Sequence, residues 1–533
     1  MRPLFVLLYC FFIISIYSQD KKHAIILKPY SLDSNSHKTT NFEENFSVLN
    51  KNLNATKEEI KVSSKNKLIK LTFSKNMSMD SILSIYNKTE MFEYVEPDYI
   101  SFGSGVEVTP NDNYFDLQYS LKNDGSFSTD FMSNNNILAS PNADINIEGL
   151  WNYSTGDPEL IVAVIDSGMN LTHEDLAGRF WTNEDEIEGN NIDDDGNGYI
   201  DDVNGWDFMN NDNDPTDDHG HGTNVGSIAL ATGNNSTGIA GVNWNSKIMV
   251  LKSLDENNSG SYSAMIESIY YAVDNGAKVI NFSIGGSGYS EALREAVNYC
   301  YDNNVVFVAC MMNYDNEVTY YPAGYENTIA VGATDPRDYR ASPFNWTFSD
   351  GSPSGSNFGN HIDLVAPGLQ IAGASNSSNS AYNYWSGTSQ ATPLVAGVAS
   401  LLISVDQNLS VDDIKNYLIN SADDDIGESS EDTVGWDKYY GHGRLNATNA
   451  ISQVLGVDKI NSYHVYIYPN PTDAFFIVNY PFEVTIQIYD PRGILIKTTQ
   501  NKKVNTSSFN SGVYFVKVSN DSGQIYSKKL IKI

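Results

Sequence analysis

An α/β domain built on a parallel sheet with helices on both faces, flanked by a small α+β unit and a C-terminal all-β sandwich module, is the architecture predicted by this 533-residue sequence. Three patterns predict it. Between residues 111 and 455, near-continuous β-branched runs alternate with helical segments, as expected of strands buried on both faces with helical crossovers. Before residue 110 and after residue 458 the apolar runs are shorter and punctuated by turn residues. The length itself fits two to four domains at roughly one per 150 residues.

Taken in order, residues 1–18 carry one arginine, an apolar stretch over 4–17 and then Ser18. This reads as a secretory signal peptide cut after Ser18; the competing reading is an uncleaved anchor, although spanning helices usually need ~20 apolar residues. In residues 19–110, HAIILKP and KLIKLTF read as strands, MSMDSILSIYN as a short amphipathic helix and FEYVEPDYISF as a last strand. SGVEVTPNDN follows as a polar linker or cleavage region. In residues 111–455 the strands are LIVAVIDSG, KIMVLKSL, KVINFSIGG, VVFVAC and TIAVGA, with SYSAMIESIYYAVDNGA as one of the helical crossovers. Ligands of such a sheet meet the carboxyl ends of its strands. In residues 458–533, VYIYPNPT, TIQIYDPRG, SGVYFVKVSNDSG and SKKLIKI read as strands of a small sandwich.

Composition narrows the partners. With 66 acidic and 33 basic residues the net charge is -33, which argues against nucleic acid and anionic lipid and fits solubility or divalent cation binding. Of three cysteines, Cys10 leaves with the signal, and Cys300 and Cys310 fall at the end of a helix and of the following strand, on opposite edges of a sheet. No disulfide is expected from that placement.

Three short stretches converge on the strand ends. Asp166 closes the strand LIVAVI, and Ser167 and Gly168 turn its carboxylate off the sheet, where it is placed to orient an imidazole. DDHGHGTNVGS supplies that imidazole, with glycines that permit close backbone approach before a helix expected to begin around Val225. GTSQATPLVAGVASLLI sets Ser389 at the mouth of an apolar helix, where Pro393 is tolerable near the first turn and the positive helix end favours developing negative charge. A serine becomes a good nucleophile only with a base in reach and a third group fixing that base's tautomer.

VIDSG, HGTNVGS and GTSQATPLVAG, in this order, resemble the three signature blocks of the subtilases, the subtilisin-like serine peptidases. The resemblance implies a secreted serine endopeptidase in which Asp166 orients His221, His221 is the base and Ser389 the nucleophile. His219 falls outside the block, and Asn224 and Gly226 depart from the family's usual histidine and alanine. VVFVACMMN resembles the block that supplies an oxyanion donor and implies that role for Asn313, with Met312 in place of the usual glycine. NFSIGGSG implies a cleft wall over Ser283, Gly285 and Gly286, able to pair with an extended peptide, while ACMM and YYPAG border the primary specificity pocket. Asp315 and Glu317 lie near that pocket and read as solvated loop carboxylates sooner than as ligands of a basic side chain.

NNIDDDGNGYIDD spaces Asp193, Asp195, Asn197, the Tyr199 carbonyl and Asp201 like an EF-hand-type loop, with Asn204 where a bidentate glutamate is usual. A structural calcium ion (Ca2+) is expected there, with lowered affinity or with coordination shifted to Asp202; the alternative is an acidic turn without an ion. The family resemblance further implies that residues 19–110 are an inhibitory pro-region, against the alternative of an ordinary binding domain. YPNPT, IYDPRG, SGVYFVKV and the terminal KKLIKI resemble type A sorting domains of the type IX secretion system, implying export to the surface or medium, with a generic adhesive sandwich as the rival. The expected partners are protein or peptide substrates, the chain's own pro-region and the secretion machinery, with no nucleic acid, for a monomer. Two other functions stay open on the residues alone: a catalytically inactive peptide-binding protein and a calcium-dependent surface adhesin.

Overall fold

A computed structural model describes residues 23–29, 42–53, 55–61, 67–73, 79–89, 91–97, 108–129, 138–348, 350–455, 466–479, 484–520 and 525–533. The expected signal peptide at 1–18 lies outside these residues. The chain divides into two compact units at Gly103 and Ser104. Thr109 already bonds Glu148 of the second unit at 2.8 Å, so folded structure of that unit begins slightly before the expected boundary at 110.

The first unit is a four-stranded antiparallel sheet of order β2-β3-β1-β4, with β1 His23–Pro29, β2 Thr56–Lys61, β3 Lys67–Phe73 and β4 Phe92–Pro97. Alternate residues Ile25, Leu27, Ile69, Leu71 and Phe73 form one buried face with Phe46, Ile82 and Tyr86 of two helices, Phe42–Asn52 and Met79–Asn87. The sequence reading missed the helix Phe42–Asn52 and β2. β2 is the sheet's edge and reads TKEEIK, too charged to carry an apolar alternation.

The central domain carries a seven-stranded, all-parallel sheet, two strands more than the sequence patterns show. Its members are β5 Ile161–Asp166, β6 Gly205–Asp207, β7 Lys247–Lys252, β8 Val279–Phe282, β9 Val306–Cys310, β10 Ile329–Thr334 and β11 Leu364–Pro367. The two unforeseen strands, β6 and β11, are only three and four residues long and sit at the sheet's edges. A hairpin of β12 Ile371–Ser375 and β13 Ala381–Trp385 stands apart from the sheet.

Strand periodicity decides which face each side chain serves. In β5, Val162 and Val164 enter one core while Ala163 and Ile165 enter the other; β7 and β9 divide in the same way. The first core holds the helices His221–Leu230 and Thr388–Val405, and the second holds Tyr262–Asp274 and Glu291–Asp302. Asp166 shares the parity of Val162 and Val164, so the sheet turns it toward the helices that carry His221 and Ser389. Apolar enough to cross a membrane by length and composition, the helix Thr388–Val405 is nonetheless buried as the central helix of this core.

The C-terminal module packs β14 Tyr466–Tyr468, β15 Phe475–Asn479 and β18 Lys503–Asn505 against β16 Val484–Tyr489, β17 Leu495–Thr499, β19 Gly512–Asn520 and β20 Ile525–Lys532. Both sheets are antiparallel, and one core joins Phe476, Val478 and Val504 of the first to Ile486, Ile488, Val516, Val518 and Leu530 of the second. This is the expected sandwich, although β15, β17 and β18 were not foreseen. The exposed LIKTT of β17 and the three-residue β18 offer little apolar pattern.

One backbone feature bears on the cleft. After β9 ends at Cys310, Met312 adopts φ +72°, in the left-handed region that glycine occupies freely and side-chain-bearing residues do not. The turn keeps a glycine-type shape with methionine in it. At ordinary positions alanine is more stable than glycine; here the order reverses, and Met312→Gly melts above Met312→Ala by an amount equivalent to about 1 kcal/mol. Equal melting temperatures, or alanine the higher, would contradict the strain.

Candidate active site

Asp166 is fully buried and His221 nearly so, and His221 Nδ1 lies 2.7 Å from Asp166 Oδ1. An ionised carboxylate only accepts, so Nδ1 carries the proton and Nε2 keeps its lone pair. Asp166 Oδ1 also accepts the Ser167 N–H at 2.8 Å, while its Oδ2 is buried without a protein partner. Burial opposes charge on the imidazole, but the charge and hydrogen bond of Asp166, together with the charge of Asp217, outweigh it and raise the His221 pKa above the ordinary 6.5.

The helix starts at His221 itself, four residues earlier than expected, and the reason is Asp217. Its Oδ1 accepts from the Ser167 hydroxyl at 2.8 Å and the N–H groups of His219 and Gly220, and its Oδ2 accepts from the Thr223 N–H and hydroxyl. The buried carboxylate thereby satisfies a donor of the first helical turn and ties it to the residue after Asp166. Ser167 Oγ accepts the Gly222 N–H at 2.9 Å, and a Cβ on Gly222 would meet the Gly168 carbonyl oxygen at 2.0 Å. Lys252, also buried, donates to the Ser167 carbonyl and to Asp218. Sequence reasoning passed over Asp217, whose only signal is a carboxylate four residues before a helix-opening histidine.

Ser389 sits in the first turn of Thr388–Val405, and Pro393 lies in the second turn, further in than expected. Proline has no N–H for the Ser389 carbonyl four residues back. The Ser283 hydroxyl donates to that carbonyl instead, at 2.9 Å, and the Ser389 hydroxyl donates in return to the Ser283 carbonyl at 3.3 Å. Asn313 Oδ1 accepts both the N–H and the hydroxyl of Thr388 at 2.9 Å, which fixes the amide and leaves Nδ2 on the side of Gly387. Cys310 touches Thr388 and Ser389, and burial pushes its thiol up to about 11, so it stays protonated; Cys300 and Cys310 are both free.

Along the expected cleft wall, Gly286 pairs through both its N–H and carbonyl with Tyr321, so its backbone is already used, while Gly285 faces the Met312 thioether. Asp315 pairs with Arg340 at 2.7 Å, which also holds Glu431 at 2.8 Å, and Glu317 pairs with Lys438 at 3.1 Å on the exposed side of the pocket. His219 lies edge-on to Trp385, whose ring also flanks His221 at 5.7 Å. The two departures in the histidine block are locally compensated. Asn224 accepts from Gln390 at 3.1 Å, and Gly226 leaves room for Met169, whose Cε would lie 2.5 Å from an added Cβ.

In the acidic loop, carboxylate oxygens of Glu186, Asp193 and Asp195 lie within 4.8 Å of one another. Glu186 lies before the loop motif and was not foreseen. Asn197 and Asp202 adjoin the group, with the Asn197 amide donating to Asp195 and Asp202. Asp201 is not brought in: its oxygens accept the N–H groups of Asn190 and Asn191 and close the turn. Tyr199 packs its ring on Trp206 and Phe208. An all-oxygen set of three carboxylates is the donor chemistry of a hard cation such as calcium.

Comparison with known proteins agrees with this architecture. The subtilase family model matches residues 157–443, more than half of the chain, and a secretion system C-terminal sorting domain matches residues 466–533. A thermophilic serine proteinase of Bacillus sp. (strain AK1) is 35% identical over 376 residues, covering 70% of this chain and 76% of that protein. Thermitase of Thermoactinomyces vulgaris is 37% identical over 301 residues, covering 56% of this chain and 91% of its own. Among solved structures, a protease from Pseudoalteromonas arctica PAMC 21717 shares the fold at 24% identity and a TM-score of 0.50, over 65% of this chain and all of that one. Sheet, sorting module and relatives agree: the chain belongs to the subtilase family, as a serine peptidase exported through type IX secretion.

Proposed function

We propose that the chain is an endopeptidase in which Ser389 attacks the scissile carbonyl, His221 takes the hydroxyl proton at Nε2 and passes it to the leaving amine, and Asp166 holds the imidazole in its working tautomer. The observation that carries this reading is the buried 2.7 Å Asp166–His221 contact, on the sheet face that also holds the Ser389 helix. The Ser389 hydroxyl is held on the Ser283 carbonyl by a long 3.3 Å hydrogen bond that costs little to break. Asn313 Nδ2 and the Ser389 N–H are the oxyanion donors, supported by the anchoring of Asn313 on Thr388. Substrate lies extended along Ser283 and Gly285, since the Gly286 backbone is occupied. Covalent labelling by a fluorophosphonate probe, lost in Ser389→Ala, tests the assignment; a wild-type chain that takes no label would favour the non-catalytic peptide binder.

The reading extends to the flanking segments. Residues 1–18 serve as signal peptide and residues 19–110 as the inhibitory pro-region, residues 111–455 form a monomeric peptidase domain, and residues 458–533 sort the chain to the secretion machinery. Calcium would be held by Glu186, Asp193 and Asp195, with Asn197 and Asp202 adjoining, and would supply charge neutralisation to a loop that leads into the His221 segment. Calcium at about a hundred times its Kd then stabilises the fold by about 2.7 kcal/mol. Chelator lowers Tm accordingly, and Asp195→Asn shrinks the effect; a Tm indifferent to both calcium and chelator would contradict the site.

The pH dependence follows from the raised His221 pKa. The base works only when neutral, so kcat/KM rises with pH through an apparent pKa above 6.5. Asp217 is one of the charges that hold the imidazolium, and Asp217→Asn therefore moves this acid limb to lower pH. A limb that stays in place in the variant would contradict the electrostatic role of Asp217.

A further inference from the structure

The segment 283–286 and the turn at 311–313 are both bonded to the start of the Ser389 helix, and the Met312 side chain of the turn lies against Gly285 of the segment. A Cβ added to Gly285 would lie 2.8 Å from Met312 Sδ and 3.1 Å from its Cγ, and the Cys310 thiol donates to the same Sδ at 3.7 Å. Ser283, two residues before Gly285, exchanges hydrogen bonds with Ser389, and Asn313 directly follows Met312. The thioether is therefore wedged between the segment that touches the nucleophile and the residue that offers the amide.

On the substrate path proposed above, with a carbonyl at Ser389 and Asn313 and backbone along Ser283 and Gly285, the gap that would take the side chain of that residue is the one between Gly285 and Met312. Two residues that meet without side chains would leave the gap open; methionine occupies it. The same Cβ position at Gly285 lies 3.5 Å from the Tyr321 carbonyl, and the Gly286–Tyr321 pairing fixes that wall in place. Asp315 and Glu317 already pair with Arg340 and Lys438.

We propose that Met312 is the specificity-determining residue of the cleft, restricting the residue on the acyl side of the cut bond to glycine, alanine or serine. The inference rests on the triad and oxyanion roles given above. The test uses the purified chain and four fluorogenic peptides that differ only at that residue, as Ala, Leu, Phe or Lys. In the wild type, kcat/KM for Ala exceeds that for Phe by about tenfold or more, and both Met312→Gly and Met312→Ala raise the Phe-to-Ala ratio by about tenfold. Fluorophosphonate labelling of each variant reports an intact catalytic centre, and either labelled variant is sufficient. A wild type that cleaves after Phe as well as after Ala, or a labelled variant that keeps the wild-type ratio, overturns the inference and spares the triad. A wild type that neither labels nor cleaves overturns the triad reading and this inference with it.

Discussion

The hydrogen bond between Asp166 and His221 is the contact on which the rest of the site is arranged. Both groups are withdrawn from water, so the carboxylate is kept in place only by what it accepts, and the imidazole keeps its tautomer only while the carboxylate faces it. Strand parity aims Asp166, the close approach of Gly222 to Gly168 brings the helix against the strand end, and Ser167 stitches the two together through Asp217. Each of these is a backbone or buried-polar constraint that tolerates little displacement.

The serine half of the site is built on a second exchange. Pro393 removes one helical hydrogen bond and the Ser283 hydroxyl replaces it, so the cleft wall and the nucleophile's helix share polar groups. Departures from the usual family residues are handled in the same manner. Gly226 makes room for Met169, Asn224 links to Gln390, and Met312 accepts an unfavourable backbone angle while its side chain fills space beside Gly285. The acidic composition is likewise structured in part: Glu186, Asp193 and Asp195 are gathered, whereas Asp201 closes a turn.

Much of this was legible in the linear sequence, because apolar runs and motif spacing are local. The five inner strands, the sandwich, Asp166 at a strand end and Ser389 at a helix start all follow from patterns a few residues wide. What was not legible is relational. The donor that stands in for the N–H Pro393 lacks is Ser283, 106 residues from the Ser389 carbonyl it serves, Glu186 joins the acidic loop from outside its motif, and Asp217 acts through contacts that no periodicity announces. The edge strand β6 escaped for a different reason, since three residues carry too little pattern to register.

The assembly of the three catalytic groups is tested most directly by a crystal structure of the fluorophosphonate adduct. The account predicts phosphorus bonded to Ser389 Oγ, one phosphonyl oxygen within hydrogen-bond distance of Asn313 Nδ2 and the Ser389 N–H, and His221 Nε2 within reach of Oγ with Nδ1 still on Asp166. An adduct on another residue, or one whose oxygen turns away from Asn313 while His221 stands apart from Oγ, would contradict it.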